Sequence, residues 1–499
     1  MSRKKKKKQT SFEQYLETLN EEQRREIDNL FSDLEQSCCH LPKKDRLLMR
    51  RDFENAILWY RDNNLSLEQA LRYASVNNLG GFFARPSLLW FPLDDAAKIY
   101  PIALKSSFMA TFRLSAYLKD NVEPGLLQLA LNFTVKRFPH FATTLKKGFF
   151  WHYLNARKRH YSVSKEDRIP CTPIRIASSG APAFRVVYFN NRISVEFFHV
   201  LCDGFGGMQF LKSLVVNYLR LRYQLEDDSA WDYTLQTPVA GESENAFEKY
   251  RKRVSAAGFM DKLAVQMNGK PVSHPYRLVH FKMNTDSLKE AAHRHNATVT
   301  AYLLALMFIA QKGATDVQSG EMAIQVPLNM RKFYPSATLN NFSMYMIIRE
   351  NMDSIGDLAS LIENITSQMK EKGTQQNMDR MVASASRFVH MLRYIPLSMK
   401  TAVARQVYGF LGDKVFSNTL SNLGPVDLPQ QYASHIDSMD FVLGTGITNR
   451  ACCSLVSFGN TSTFSITQYT TDPSFASAME SLLSKEKVEF VKEGSPLWK

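Results

Sequence analysis

One histidine in this 499-residue chain stands where it could act as a general base. His199 lies within the segment Phe198-His199-Val200-Leu201-Cys202-Asp203-Gly204. An imidazole with an ordinary pKa of about 6.5 is mostly neutral at physiological pH, so it can take a proton from a hydroxyl or amine. A lone histidine in an apolar segment is more often a core residue. Here the aspartate and the glycine that follow at fixed spacing favour a functional site.

The residues around His199 predict a strand that presents it at its end. Phe184 to Phe189 is rich in β-branched and aromatic residues, Asn190-Asn191 is typical of a turn, and Arg192 to Phe198 alternates, so the three predict a hairpin. The period of two places His199 on an apolar face, with Ile193, Val195 and Phe197. A helix is predicted directly after Gly204, Gly206 and Gly207.

The pattern His199-x-x-x-Asp203-Gly204 resembles the signature of the CoA-dependent acyltransferase superfamily. That superfamily includes chloramphenicol acetyltransferase, peptide-synthetase condensation domains and alcohol acetyltransferases. Further segments resemble the family in the same order over roughly residues 100 to 480, namely Thr111 to Tyr117, Leu126 to Phe141, Phe149 to Tyr153, Gln325 to Pro335, Leu339 to Ser343 and Ser421 to Pro425. Gln325 to Pro335 and Leu339 to Ser343 resemble elements of alcohol acetyltransferase-like and condensation-like members, and Ser421 to Pro425 resembles an element of alcohol acetyltransferase-like and wax-ester-synthase-like chains. The closest resemblance is therefore to the alcohol acetyltransferase-like and condensation-like branch. Many members carry two adjacent histidines, and Phe198 occupies the first of these positions.

The resemblance implies an α/β fold of two chloramphenicol-acetyltransferase-like lobes, which form a pseudo-dimer with a tunnel at their interface. It also implies direct transfer of an acyl group, most simply acetyl, from acyl-CoA to a small alcohol-type acceptor. Acyl-CoA is then a co-substrate, and no bound cofactor or metal is expected.

The same resemblance suggests roles for the residues of the site. His199 would be the catalytic base. Asp203 would form an inward salt bridge, with Arg331 as the favoured partner and Arg137 as the alternative, and Gly204 would allow the turn. A developing oxyanion needs a hydrogen-bond donor, and the candidates for it, or for the tunnel wall, are Asn422, Ser421 and Ser343.

Composition sets wider bounds. Hydrophobic residues make up 44% and charged residues 22%, as in an ordinary globular protein. The six cysteines include two adjacent pairs and no Cys-x-x-Cys spacing, which favours free thiols over disulfides or zinc. Cys202, inside the signature, is interpreted as a packing residue. No stretch after the basic start reads as a signal peptide, so we expect a cytoplasmic protein. We also expect a monomer.

The net charge of +14 is partly local, because Arg3 and Lys4 to Lys8 supply six of the positive charges. This run could make weak contact with an anionic membrane, although a solvated tail is the simpler interpretation. We expect no nucleic acid partner.

The chain divides by pattern into five segments. Residues 1–10 are predicted to be a disordered basic tail and 11–81 a helical region, with helix starts at Ser11 and Ser66. Residues 82–225 form the acyltransferase N-lobe, 226–270 a linker with a helix at about 246–267, and 271–499 the C-lobe. The helical region could pack on the core or form a separate binding module.

Two other functions fit the same residues. One is a condensation-like enzyme that takes its acyl group from a carrier-protein thioester. The other is a non-catalytic scaffold that has kept the fold, against which the intact His199, Asp203 and Gly204 argue.

Overall fold

The computed structural model describes most of the chain. The described residues are 9–79, 90–102, 109–157, 159–174, 182–226, 239–255, 262–272, 276–402, 414–444 and 449–494. The basic run Arg3–Lys8 lies outside them, as does the predicted boundary between residues 81 and 82.

The chain begins with a group of helices that packs on the first half of the protein. Thr10, rather than Ser11, caps the first helix in a capping box with Glu13, whereas Ser66 with Gln69 caps the fourth as predicted. The Tyr60 hydroxyl donates to the Leu221 carbonyl at 2.9 Å, so this region belongs to the core. The helices are α1 Ser11–Glu17, α2 Glu21–Ser37, α3 Lys43–Asp62 and α4 Leu67–Tyr73.

A five-stranded sheet forms the centre of the first half, in the order β12-β2-β7-β6-β5. The predicted hairpin is confirmed, because β6 and β7 pair antiparallel across Asn190, whose φ is 49°. Two apolar helices cover the sheet. The bounds are β2 Thr111–Leu118, α5 Pro124–Arg137, β5 Val163–Lys165, β6 Phe184–Phe189, β7 Arg192–Phe198, α6 Gly204–Tyr223 and β12 Ile436–Leu443.

A small antiparallel sheet stands beside this half, in the order β1-β4-β3. Its hairpin tip carries the aromatic run at residues 149–151. The strands are β1 Trp90–Pro92, β3 Thr143–Lys147 and β4 His152–Ala156.

A seven-stranded mixed sheet forms the second half, in the order β10-β9-β11-β13-β14-β8-β15. The predicted pairing across Gly459 is confirmed by β13 and β14, and the predicted buried helix is α9. The strands are β8 Arg277–Asn284, β9 Glu321–Asn329, β10 Ser343–Asn351, β11 Asn418–Val426, β13 Ala451–Phe458, β14 Thr461–Gln468 and β15 Phe490–Gly494. The helices are α7 Ala246–Lys249, α8 Thr285–Arg294, α9 Val299–Lys312, α10 Leu358–Lys372, α11 Gln375–Leu392, α12 Gln430–Ala433 and α13 Ser474–Lys485.

Strand β12 comes from the second half of the sequence but belongs to the sheet of the first. It pairs with β2 along its length, and the Tyr117 hydroxyl donates to Asp440 Oδ2 at 2.7 Å. The two halves are therefore joined by a shared strand as well as by the linker.

Part of the helix predicted at about 246–267, residues 256–261, lies outside the described residues. In the described parts of that range only α7 is helical, so the prediction is wrong for residues 250–255 and 262–267. In the described residues 262–272 the amides bond to distant segments. Ala264 N donates to Lys414 O at 2.9 Å and Val265 N to Glu321 O at 2.8 Å. An amide bonded across the fold cannot also bond to the carbonyl four residues earlier, so pairing with neighbouring segments replaces helix here.

Candidate active site

His199 lies one residue beyond the end of β7, in an aromatic setting. The Tyr100 ring stacks on the imidazole at 4.7 Å between centroids, and Phe112 of β2 meets it edge-on at 5.2 Å. Phe112 also stacks on Phe197 at 5.3 Å, so His199 and Phe197 share one face as alternation predicts. The backbone N–H of His199 donates to Ala110 O at 2.8 Å, which continues the pairing with β2.

A hydrogen-bonded line from Asp94 through Asn341 fixes the orientation of the imidazole. Asn341 donates to Asp94 Oδ2 with its side-chain Nδ2 at 3.2 Å and its backbone N–H at 3.1 Å. The amide oxygen of Asn341 therefore faces His199, where it lies 2.7 Å from Nδ1. An amide oxygen only accepts, so Nδ1 carries the proton and Nε2 keeps its lone pair. This is the tautomer that a general base acting through Nε2 requires.

The surroundings keep this imidazole neutral. Burial lowers the pKa of His199, while the bond to Asn341 and the charge of Asp203 act in the opposite direction and are outweighed. Asp94 is itself deeply buried, and burial raises its pKa to about 7 although Ala97 N and Asn341 donate to it. A base that stays unprotonated at physiological pH is the chemical consequence.

Asp203 acts as an anchor between the two halves. Its Oδ1 accepts from Gly206 N at 3.1 Å and so caps α6. Its Oδ2 accepts from Arg331 Nη1 at 2.8 Å and from the Phe342 backbone N–H at 2.9 Å. The expected ion pair with Arg331 is thus present, and the contacts that Asp203 makes in the described part of the chain are those of a structural anchor.

Each nitrogen of the Arg331 guanidinium donates a hydrogen bond. Its Nε donates to Thr338 O at 2.9 Å and its Nη2 to Asn340 O at 2.7 Å, in addition to the bond to Asp203. Both ionic partners are buried, so removal of one is expected to cost about 3–5 kcal/mol. The alternative partner, Arg137, pairs instead with Glu242, with Nη1 to Oε2 at 2.7 Å.

The glycines after Asp203 allow close approach of the second half. A Cβ on Gly204 would lie 2.7 Å from Leu423 Cδ2 of β11, and one on Gly206 would lie 2.0 Å from the Leu339 carbonyl oxygen. The start of α6 can therefore touch the loop that carries Asn341 only because Gly206 lacks a side chain.

The three oxyanion candidates are near the same interface but are not joined to His199. Asn422 lies in β11 beside Leu423, and its Nδ2 donates to Thr300 Oγ1 at 3.0 Å. Ser421 precedes it, and Ser343 begins β10 two residues after Asn341. Within the described part of the chain, none of the three side chains hydrogen-bonds to the imidazole.

Two other chemistries find little support around this histidine. Cys202 is buried, and burial holds the pKa of its thiol well above the usual value, so it is not a ready thiolate nucleophile. Among the residues that the structure describes, no group of three or more His, Cys, Asp or Glu side chains could hold a metal ion.

Sequence reasoning missed two residues of the site, Asp94 and Tyr100, and the role of a third, Asn341. The segment Leu339 to Ser343 stood out by resemblance, but its contact with His199 spans 142 positions. No local pattern marks Asp94 or Tyr100, so only the assembled fold shows that they line the imidazole.

Comparisons with known proteins show the fold. No protein-family model matches the chain, and no curated protein matches its sequence. Solved structures do match at 10–13% identity. TRI101 of F. graminearum, solved with coenzyme A and T-2 mycotoxin, has a TM-score of 0.56 at 10% identity and covers 81% of this chain and 100% of its own. The first condensation domain of the calcium-dependent antibiotic synthetase, solved with a substrate analogue, has a TM-score of 0.53 at 13% identity and covers 81% of this chain and 100% of its own.

A third structure is similar to the same extent. Polyketide synthase associated protein 5 from Mycobacterium tuberculosis has a TM-score of 0.51 at 11% identity and covers 80% of this chain and 98% of its own. The predicted α/β fold, two chloramphenicol-acetyltransferase-like lobes in a pseudo-dimer, is confirmed. His199 comes from the first lobe, and Asn341 and Arg331 come from the second.

Proposed function

We propose that this protein transfers an acyl group from acyl-CoA to the hydroxyl of a small acceptor, with His199 as the general base. The observation that carries this proposal is the hydrogen-bonded line Asp94–Asn341–His199, which leaves Nε2 free to accept a proton. A general acid acting through Nε2 would need a proton there, which this tautomer does not carry. The proposal also draws on the fold, which this chain shares with TRI101, a protein solved with coenzyme A.

The chemistry follows from the tautomer. Nε2 takes the proton of the acceptor's hydroxyl group while the oxygen of that hydroxyl attacks the thioester carbonyl carbon. The tetrahedral intermediate then collapses, the C–S bond breaks, and the thiolate leaves with the proton that Nε2 returns. A positioned base contributes about 10²- to 10⁴-fold to such a step. No acyl-enzyme is required.

The oxyanion donor belongs to the proposal as well. Asn422 is the first choice, because one of its amide hydrogens is held by Thr300 and its oxygen accepts from Gly424 N at 2.8 Å. These bonds fix the amide and leave its second N–H to donate. Ser421 of β11 and Ser343 of β10 remain alternatives. A tunnel between the lobes would bring acyl-CoA and acceptor from opposite sides.

Condensation-like chemistry is the second candidate, because condensation domains share this fold to a similar degree. The donor would then be a carrier-protein thioester, whereas the base would be unchanged. Phe198, where condensation domains usually have a first histidine, favours the CoA donor.

The experiment that tests the proposal is thiol release from a panel of acyl-CoAs and acyl-carrier proteins, with and without pooled alcohols and amines. We expect release from a short acyl-CoA that depends on an alcohol. Release only from carrier-protein donors would support the second candidate. A folded protein that releases no thiol from any donor would leave the scaffold function as the interpretation.

A further inference from the structure

Two segments carry an unusual set of exposed large apolar side chains. On the hairpin tip between β3 and β4, Phe149 is 72% exposed. At the end of α11 and just beyond it, Met391, Tyr394 and Met399 are 70%, 72% and 60% exposed. Burial would be the default for side chains of this size, so a cluster of them on the surface calls for a partner.

The two segments form one surface. The Leu397 backbone N–H donates to Phe149 O at 2.9 Å, and Lys400 Nζ donates to Phe150 O at 2.7 Å. The same ammonium lies 3.3 Å from the centre of the Trp151 ring. We call the surface made by Phe149, Met391, Tyr394 and Met399 the apolar shelf.

Positive charge lies along both segments of the apolar shelf. Residues 380–412 and 124–165 contain no Asp or Glu, so neither segment brings an acid to the surface. Lys147, Arg387 and Arg393 are exposed, and the Arg393 guanidinium lies over the Tyr394 ring at 4.5 Å. Asp379, an acid near the start of α11, is paired with Lys252 at 2.8 Å.

The shelf borders the candidate site. Lys98 Nζ lies 5.8 Å from the centre of the Trp151 ring, at the edge of the shelf. Two residues later in the same turn, Tyr100 stacks on His199. Whatever docks on the shelf therefore sits next to the residues that line the imidazole.

We propose that the apolar shelf docks this protein on an anionic lipid bilayer. Aromatic and thioether side chains would enter the headgroup–acyl boundary, and the surrounding basic side chains would meet anionic headgroups. A second copy of this chain fits less well, because a symmetric contact would place Arg387, Arg393 and Lys147 opposite like charges. This docking is independent of the acyl transfer proposed above.

The test is sedimentation of the full chain with vesicles of phosphatidylcholine, with and without phosphatidylserine. Two variants probe the shelf: Phe149→Ser with Tyr394→Ser, and Arg387→Gln with Arg393→Gln. The matched control is Leu47→Ser, which changes an exposed apolar residue of α3, outside the two segments that carry the shelf. Each is also made with Lys4 to Lys8 changed to serine, which separates the shelf from the basic tail.

Wild type should bind the anionic vesicles in preference to the neutral ones. Loss of the two arginines should weaken that binding by about 25-fold, since each basic side chain near the membrane surface contributes about fivefold. The Phe149/Tyr394 variant should weaken binding to a similar extent and Leu47→Ser should not, in both tail backgrounds, with circular dichroism unchanged.

Three results would overturn the proposal. The first is equal sedimentation of wild type with neutral and anionic vesicles. The second is loss of binding from the tail changes alone, while the shelf variants bind as wild type does. The third is a change in the oligomeric state of the shelf variants measured without lipid, which would identify a second copy as the occupant.

Discussion

At the scale of residues, Asn341 is the side chain on which the account of His199 depends most. Its Oδ1 accepts from Nδ1–H of His199, with 2.7 Å between Nδ1 and Oδ1, and its amide is itself fixed by Asp94. The ring therefore cannot exchange tautomers without losing a hydrogen bond. Its action is indirect: it positions the base and does not touch the proton that moves.

Replacement of Asn341 by alanine should lower kcat about tenfold and leave KM for acyl-CoA nearly unchanged. The reason is that a hydrogen bond of this kind is worth about 0.5–1.5 kcal/mol, and it acts on the orientation of the base rather than on donor binding. Steady-state kinetics with acyl-CoA and acceptor varied separately would measure the change.

The neighbouring Asn340→Ala is the matched control, because the Asn340 side chain donates to Ser243 O at 3.0 Å and not to the imidazole. Equal losses of kcat in the two variants would point to a general disturbance of the loop and contradict a positioning role.

The residues that the sequence identified are those with a local pattern or a family motif. His199 is marked by strand alternation, while Asp203 and Arg331 are marked by the resemblance, and the 2.8 Å ion pair bears out their pairing. Asp94 and Asn341 come together only when residues 247 positions apart meet, and no spacing along the chain encodes that contact.

At the scale of elements, the start of α6 packs closely against the second half because Gly204 and Gly206 have no side chains. Gly206 faces the Leu339 carbonyl oxygen, a backbone atom of the segment that Arg331 fixes through its bond to the next carbonyl, that of Asn340. Gly204 faces only the tip of the Leu423 side chain, which can rotate away.

We predict that Gly206→Ala destabilises the protein by about 3 kcal/mol and Gly204→Ala by about 1 kcal/mol, since a Cβ in a filled space forces the backbone apart. Urea denaturation followed by circular dichroism measures both. Gly356→Ala is the control, because nothing lies within 4 Å of its Cβ position. A Gly206→Ala protein as stable as Gly356→Ala would show that the close approach does not exist.

Helices and strands were predicted correctly where the pattern lies within one segment. Prediction failed where hydrogen bonds to distant segments determine the local structure. The β6–β7 hairpin, the β13–β14 hairpin and helix α9 carry their own alternation or apolar run, and the structure has them. Residues after α7 look helical by composition, but the described amides there bond to β9 and to Lys414. The pairing of β12 with β2 likewise has no signal in the sequence.

At the scale of the whole molecule, the N-terminal helices and both lobes are parts of one packed structure. Asp52 of α3 accepts from Asn132 of α5 at 2.8 Å and lies 2.6 Å from His160 Nε2. Phe53 is fully buried and meets Phe133 of α5 at 6.3 Å between ring centroids. Of the two possibilities for this helical region, packing on the core is the one observed.

No helix in the described ranges has the length and apolar character needed to cross a bilayer.

Phe53→Ala should therefore lower the free energy of unfolding of the entire protein by about 3–5 kcal/mol, through the cavity that it leaves between α3 and α5. Tryptophan fluorescence and circular dichroism during urea denaturation should report one shared transition. Leu47→Ala, at an exposed position of the same helix, should change little. An early, separate transition in the Phe53 variant would mean that the helices unfold on their own.

The measurement that tests the central claim most directly is the dependence of kcat/KM on pH, for wild type and for His199→Ala. Because burial lowers the pKa of His199, the neutral base persists below pH 6.5 and is lost only as the pH falls through that lowered value. The account predicts an acid limb with an apparent pKa below about 6.5 and, in folded His199→Ala, loss of acceptor-dependent turnover at every pH. A folded His199→Ala protein that keeps wild-type turnover, or an acid limb unchanged by that substitution, would contradict it.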